Sequence, residues 1–123
     1  MEKQMNFGHA KFVRDLVWFD GLLLSVCELR DKTYLVKWVD VVEEETRSYN
    51  IWLFYEVEPE ILGAYIGKAL TLRQVEERSP AVFVQEGFAE DGGAAYTDYD
   101  DIPEDWKASC DSYYDESLGH DES

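Results

Sequence analysis

Residues 96–106 read YTDYDDIPEDW: five acids, three aromatics and no base in eleven positions. Carboxylates at this density can bind a hard cation, move protons, or stand where the phosphates of a nucleic acid would stand. For a cation, Asp98, Asp100, Asp101, Glu104 and Asp105 supply oxygen ligands, but they lack the alternating acids and closing glutamate of a calcium-binding loop. Weak Ca²⁺ or Mg²⁺ association fits better than a dedicated site, so no metal and no cofactor is expected. For proton transfer, two carboxylates need environments that separate their pKa values. Glu56 and Glu58 alternate with Tyr55 and Val57 at a strand end, where one of them could face a cleft, although an exposed strand face is the simpler reading.

Other chemistry is scarcer. His9 and His120 lie near the two ends of the sequence without an evident partner, and no Cys–His or Ser–His–Asp arrangement can be assembled. Arg14, Arg30, Lys32, Lys37 and Arg73 have no glycine-rich phosphate loop beside them, so nucleotide binding lacks support. The expectation is a protein that is not an enzyme.

The third use of the acid follows from the charge. The 123 residues carry a formal net charge of -16. Residues 1–85 hold 14 acids and 10 bases, whereas residues 86–123 hold 13 acids and only Lys107. Such a charge repels phosphates and anionic membranes and attracts basic proteins, so direct binding to nucleic acid or membrane is not expected. With 46 % apolar and 15 % aromatic residues, most of the chain should nevertheless fold.

The elements that must position these groups are legible from their periods. KFVRDLVWF (11–19) ends in a turn signal at Asp20-Gly21 and is followed by LLLSVCELR (22–30). TYLVKWVDVV (33–42) places Tyr34, Val36 and Trp38 on one face and Leu35, Lys37 and Val39 on the other. Glu43, Glu44 and Glu45 break the pattern as a solvated hairpin tip before the strand IWLFYEVE (51–58). Pro59 then opens a helix carrying Ile61, Leu62, Tyr65 and Ile66, which Gly67 ends. A second short helix spans 70–78 with Thr71 as N-cap, and AVFVQEGF (81–88) is one more strand. Short connections force antiparallel pairing. The expected fold is therefore α+β: an antiparallel meander of four or five strands with one or two short helices on one face and an acidic C-terminal extension.

The order FDGLLL (19–24), YLVKWVD (34–40), IWLFYEV (51–57), PEILGAYIGKALTLR (59–73), VFV (82–84) and DIPEDW (101–106) resembles a family of small uncharacterised bacterial domains. The likeness covers residues 19–106 and implies that IPEDW belongs to the folded domain, with Ile102 and Trp106 as anchors. It implies no activity, cofactor or catalytic residue. On this reading residues 1–106 form one domain and 107–123 an acidic flexible tail.

MEKQMNFGHAKF has no apolar run behind its bases, so no signal peptide is expected, and no segment is long enough to cross a membrane. A cytoplasmic location follows, with Cys27 and Cys110 as thiols. The expected function is a non-enzymatic inhibitor or immunity-type protein that docks on a basic, nucleic-acid-binding surface of a partner protein, as nucleic-acid mimics of phages and mobile elements do. Its contacts would be Asp98, Asp100, Asp101, Glu104 and Asp105, with Tyr96, Tyr99 and Tyr113 as aromatic anchors and Glu43, Glu44 and Glu45 as a second acidic spot. Trp18, Trp38, Trp52 and Trp106 are assigned to the core. The alternative is an adaptor that binds a cognate protein through its sheet face or edge, with the acid serving solubility alone. Either could be a monomer, or a homodimer formed by sheet extension.

Overall fold

The computed structural model of the chain describes residues 4–5, 7, 10–18, 22–87 and 93–114, and the side chains of all of these except Gln4, Met5, Trp18 and Leu22. Among them run the strands β1 (Gln4–Met5), β2 (Lys11–Trp18), β3 (Leu22–Leu29), β4 (Lys32–Glu43), β5 (Ser48–Val57), β6 (Val82–Glu86) and β7 (Ala94–Thr97). They form one antiparallel sheet in the order β1-β7-β6-β5-β4-β3-β2, a six-strand meander with the two-residue β1 added beyond β7. The helices α1 (Pro59–Ile66) and α2 (Leu72–Arg78) bridge β5 and β6. The fold is α+β, as expected, with a higher strand count.

The five expected strands all form, and β7 and the two-residue β1 are additions. Ala94–Thr97 carries too little apolar alternation to announce itself, and its ladders hold it extended: β6 on one side, with Phe83 opposite Tyr96, and the short β1 on the other. The expected turn at Asp20-Gly21 lies outside the described residues.

Local signals explain the joints. Arg30 and Asp31 close the β3–β4 hairpin with φ of 52° and 66°, the left-handed pair that a two-residue turn matching the strand twist requires. Pro59 occupies the first turn of α1, where its missing N–H costs nothing, and Glu60 adds favourable charge there. Thr71 and Gln74 form a reciprocal capping box at the start of α2.

Strand alternation divides the core in two. Towards the helices, Leu24, Val26, Leu35, Leu53, Tyr55, Val57 and Val82 pack beneath Tyr65 and Val75. On the opposite face Cys27, Tyr34, Val36, Trp52, Phe54 and Phe83 are buried, with Phe7 lying on them. The Phe7 ring stacks on Phe54 at 3.9 Å and meets Tyr34 edge-on at 4.9 Å. The N-terminal segment thus contributes to the core through Phe7, and the aromatic sheet face is buried. Of the expected core tryptophans, Trp52 is buried, Trp38 and Trp106 are half-buried, and the Trp18 side chain lies outside the described ones.

Candidate functional site

The acidic strip starts where β7 ends. Backbone bonds from Asp101 N–H to the Asp98 carbonyl (3.0 Å) and from Ile102 N–H to Tyr99 (3.1 Å) make a first 3-10 turn. After Ile102-Pro103 a second turn follows, with Trp106 N–H donating to Pro103 (2.9 Å) and Lys107 N–H to Glu104 (3.1 Å). Ile102 is buried in the helix-side core, and Tyr99 and Trp106 pack against that core. The local sequence accounts for this shape, because Pro103 fixes one φ and three apolar side chains in eight residues turn inward.

What holds the strip is a residue outside it. Glu76 on α2 is 0 % exposed. Its Oε1 accepts from the Tyr99 hydroxyl at 2.8 Å and from the Ala108 N–H at 3.0 Å, and its Oε2 accepts from Lys37 Nζ at 2.8 Å. Lys37 Nζ also donates to the Trp106 carbonyl at 2.6 Å. One carboxylate and one ammonium therefore tie down both ends of the strip and meet the demand that buried charges be paired and hydrogen-bonded.

Arg73 makes a second clamp, donating to Glu104 (3.0 Å), to the Ala108 carbonyl (3.1 Å) and to Glu77 (3.3 Å). Lys107 Nζ sits 4.6 Å above the Tyr99 ring and 3.7 Å from Glu104. Beyond the strip, Leu72 N–H donates to the Ser112 carbonyl and Arg73 N–H to the Ser112 hydroxyl, so residues near 112 satisfy the free donors at the start of α2. Tyr114 is buried against Tyr65, with ring centroids 5.5 Å apart. Of the segment expected as a tail, 107–114 lies on the domain in this way, and 115–123 is outside the described residues.

The expected contact residues separate into groups. Asp98, Asp100, Asp101 and Asp105 are exposed, and none pairs with a lysine or arginine among the described residues. Glu104 is also exposed, but Arg73, and more weakly Lys107, hold its carboxyl below the usual range. Tyr99 is turned into the domain, and Tyr96 is half-buried against Phe83 on the other sheet face, with its hydroxyl donating to Asp98 at 3.3 Å. Tyr113 projects outward at 58 % exposure. Glu43, Glu44 and Glu45 lie exposed at the β4–β5 hairpin, where Glu44 N–H donates to the Arg47 carbonyl and its carboxylate lies 3.8 Å from Arg47 Nε.

The register places this second acidic spot apart from the first. Thr97 lies across from Val82, which pairs with Tyr55 and through it with Leu35. Leu35 and Glu43 are eight positions apart on β4, about 26 Å at 3.3 Å per residue. The two acidic regions therefore begin at opposite ends of the sheet.

The residue missed by sequence reasoning is Glu76, and two signals pointed to it. Lys37 sits between Leu35 and Val39 on an apolar strand face, where an ammonium needs a buried counter-charge. Glu76 continues the inward stripe of Leu72 and Val75 at helical spacing.

Burial and the Glu76 charge also set the tyrosines. Burial, then the hydrogen bond to Glu76, pushes the Tyr99 phenol up, and burial followed by the Glu76 charge does the same to Tyr55. Burial raises Tyr65 to about 12. A raised phenol pKa means that the fold holds the neutral form, so the stability it contributes is full below the ordinary value near 10 and is lost as the pH climbs above it. Alkaline unfolding should therefore set in above pH of about 10. These three phenols should ionise only as the fold is lost. Tyrosinate absorbance of all eight tyrosines rising well before far-UV circular dichroism changes would contradict this.

Among the described residues no three His, Cys, Asp or Glu side chains group to hold a metal ion, and no helix is long and apolar enough to cross a membrane. Cys27 is buried and Cys110 exposed, both as free thiols. Comparison with protein-family models, with curated proteins and with solved structures finds no match to this chain.

Proposed function

We propose that this protein is a non-enzymatic binding protein that docks its acidic strip on a basic surface of a partner protein, of the kind that otherwise holds nucleic acid. The observation that carries the reading is the division of charge across the strip. The cations Lys37, Arg73 and Lys107 lie beneath it as clamps, while Asp98, Asp100, Asp101 and Asp105 stand outward without a cation. A solubilising segment needs no buried clamp. A row of carboxylates held on a fixed backbone loses little conformational freedom on binding and can match a basic groove in register. Tyr113 is an exposed aromatic seven residues beyond its end, and Tyr99 serves the fold instead.

The adaptor reading retains one observation. Phe12 and Val13 are each 46 % exposed on β2, which pairs only with β3 among the described residues. Its bulges between Phe12 and Arg14 and between Asp15 and Val17 count against sheet extension there, because such irregularities blunt an edge.

The test compares the full chain with the variant Asp98→Asn/Asp100→Asn/Asp101→Asn as bait in host lysate, followed by affinity measurement on the purified partner. Exposed ion pairs contribute about 0.2–1 kcal/mol each, so the triple variant should bind about threefold to a hundredfold more weakly, and salt should weaken the wild type in the same direction. An unchanged fold with unchanged affinity in the triple variant would sink the docking role of the strip. Salt-resistant binding lost on changing Phe12 or Val13 would favour the adaptor.

A further inference from the structure

A pocket of about 190 Å³ opens between the end of β5, the first turn of α1 and the end of α2. Its apolar lining is Val57, Ile61, Val75 and Pro80, of which Val57 and Val75 are buried. Its rim carries Glu56, Glu58 and Arg78, whose states differ. Glu56 is engaged by Lys32 at 3.1 Å. Among the described residues neither the Glu58 carboxylate nor the Arg78 guanidinium makes a hydrogen bond or an ion pair, although both line the same pocket. Elsewhere on the helix side Lys37, Arg73 and Lys107 each have a carboxylate partner. The wall is fixed, because the Ser79 hydroxyl is shared between the Glu56 carbonyl (2.7 Å) and the Ala81 carbonyl (2.8 Å).

We infer that this pocket binds a small zwitterion with an apolar side chain, a free aliphatic or aromatic α-amino acid, independently of the acidic strip. The volume lies below the roughly 300–1,000 Å³ of drug-sized sites and suits a molecule of amino-acid size. An anion would meet Glu56 and Glu58 on a protein of net charge -16, and a simple cation would leave Arg78 unpaired. A zwitterion satisfies both unpaired rim charges: its ammonium faces Glu58, its carboxylate faces Arg78, and its side chain covers Val57 and Val75. Being neutral overall, it is not repelled by the whole molecule.

The test is an amide-resolved NMR titration of the full chain with L-leucine, L-phenylalanine and glycine. N-acetyl-L-leucine and L-leucinamide each remove one ligand charge, and Glu58→Gln and Arg78→Gln each remove one rim charge. Leucine and phenylalanine should give saturable shifts at Val57, Ile61, Val75 and Ser79 with a Kd on the order of 1 mM, and glycine should give none. Each single charge removal should weaken binding about two- to fivefold, the range of an exposed ion pair. Circular dichroism of the two variants should match the wild type, since both side chains are exposed. The proposal is overturned if leucine and phenylalanine give no saturable shift at those amides up to about 10 mM, or if glycine matches them. Undiminished binding in both variants overturns it equally.

Discussion

Glu76→Gln should lower the unfolding free energy by about 3–5 kcal/mol, the range for removing one partner of a buried ion pair. The amide would still accept from Tyr99 or Ala108, but it would leave Lys37, whose side chain is only 15 % exposed, without a counter-charge. Lys37→Met should cost a similar amount for the mirror reason, leaving a fully buried carboxylate with two neutral donors. The double variant should lie closer to the wild type than either single, because a neutral amide facing a methionine removes both uncompensated charges. Urea denaturation followed by tryptophan fluorescence reads all four proteins. A loss below about 1 kcal/mol in Glu76→Gln would place the pair among weak surface bridges and remove the clamp from the account of the strip.

The same variant separates holding the strip from presenting it. Asp98→Asn/Asp100→Asn/Asp101→Asn touches only exposed side chains and should leave stability within about 0.5 kcal/mol. Glu76→Gln keeps every exposed acid but loosens the backbone that carries them, so amide exchange near Tyr99 and Ala108 should accelerate. Partner affinity should then fall even though the acidic surface is chemically intact.

Phe7→Ala is the other large expected effect, a loss of about 3–5 kcal/mol typical of truncating a buried phenylalanine. Phe7 fills the space over Phe54, Tyr34 and Phe83 on the sheet face away from the helices. Removing the ring takes away its stacking and edge contacts and opens Tyr34, Phe54 and Phe83 to water. Binding of a hydrophobic dye should therefore increase alongside the lower urea midpoint. A change below about 1 kcal/mol without dye binding would mean that Phe7 does not seal this face.

Much of the architecture was legible because it is written at short range. The two-residue alternation of Leu22–Leu29, Lys32–Glu43 and Ser48–Val57 marks three strands, Pro59 and Thr71 mark two helix starts, and Glu43 to Glu45 mark a hairpin tip. Each follows from a residue and its neighbours within one turn or a few strand positions, where period and capping chemistry act.

The sequence by itself therefore determined the fold class, the sign of the surface and the stretch of chain that carries most of the acid. Which acids face outward, and what holds them, only the tertiary structure decided. Ala94–Thr97 becomes a strand through its partner β6, Phe7 enters the core through side chains 27 to 76 residues away, and the hairpin acids stand apart from the strip because the register of four strands separates them. Glu76 and Lys37, 39 positions apart, can be paired only once β4 and α2 are packed, and their bonds then reach Tyr99, Trp106 and Ala108. Burial requires every charge to find a partner, but it does not say from which part of the chain that partner comes.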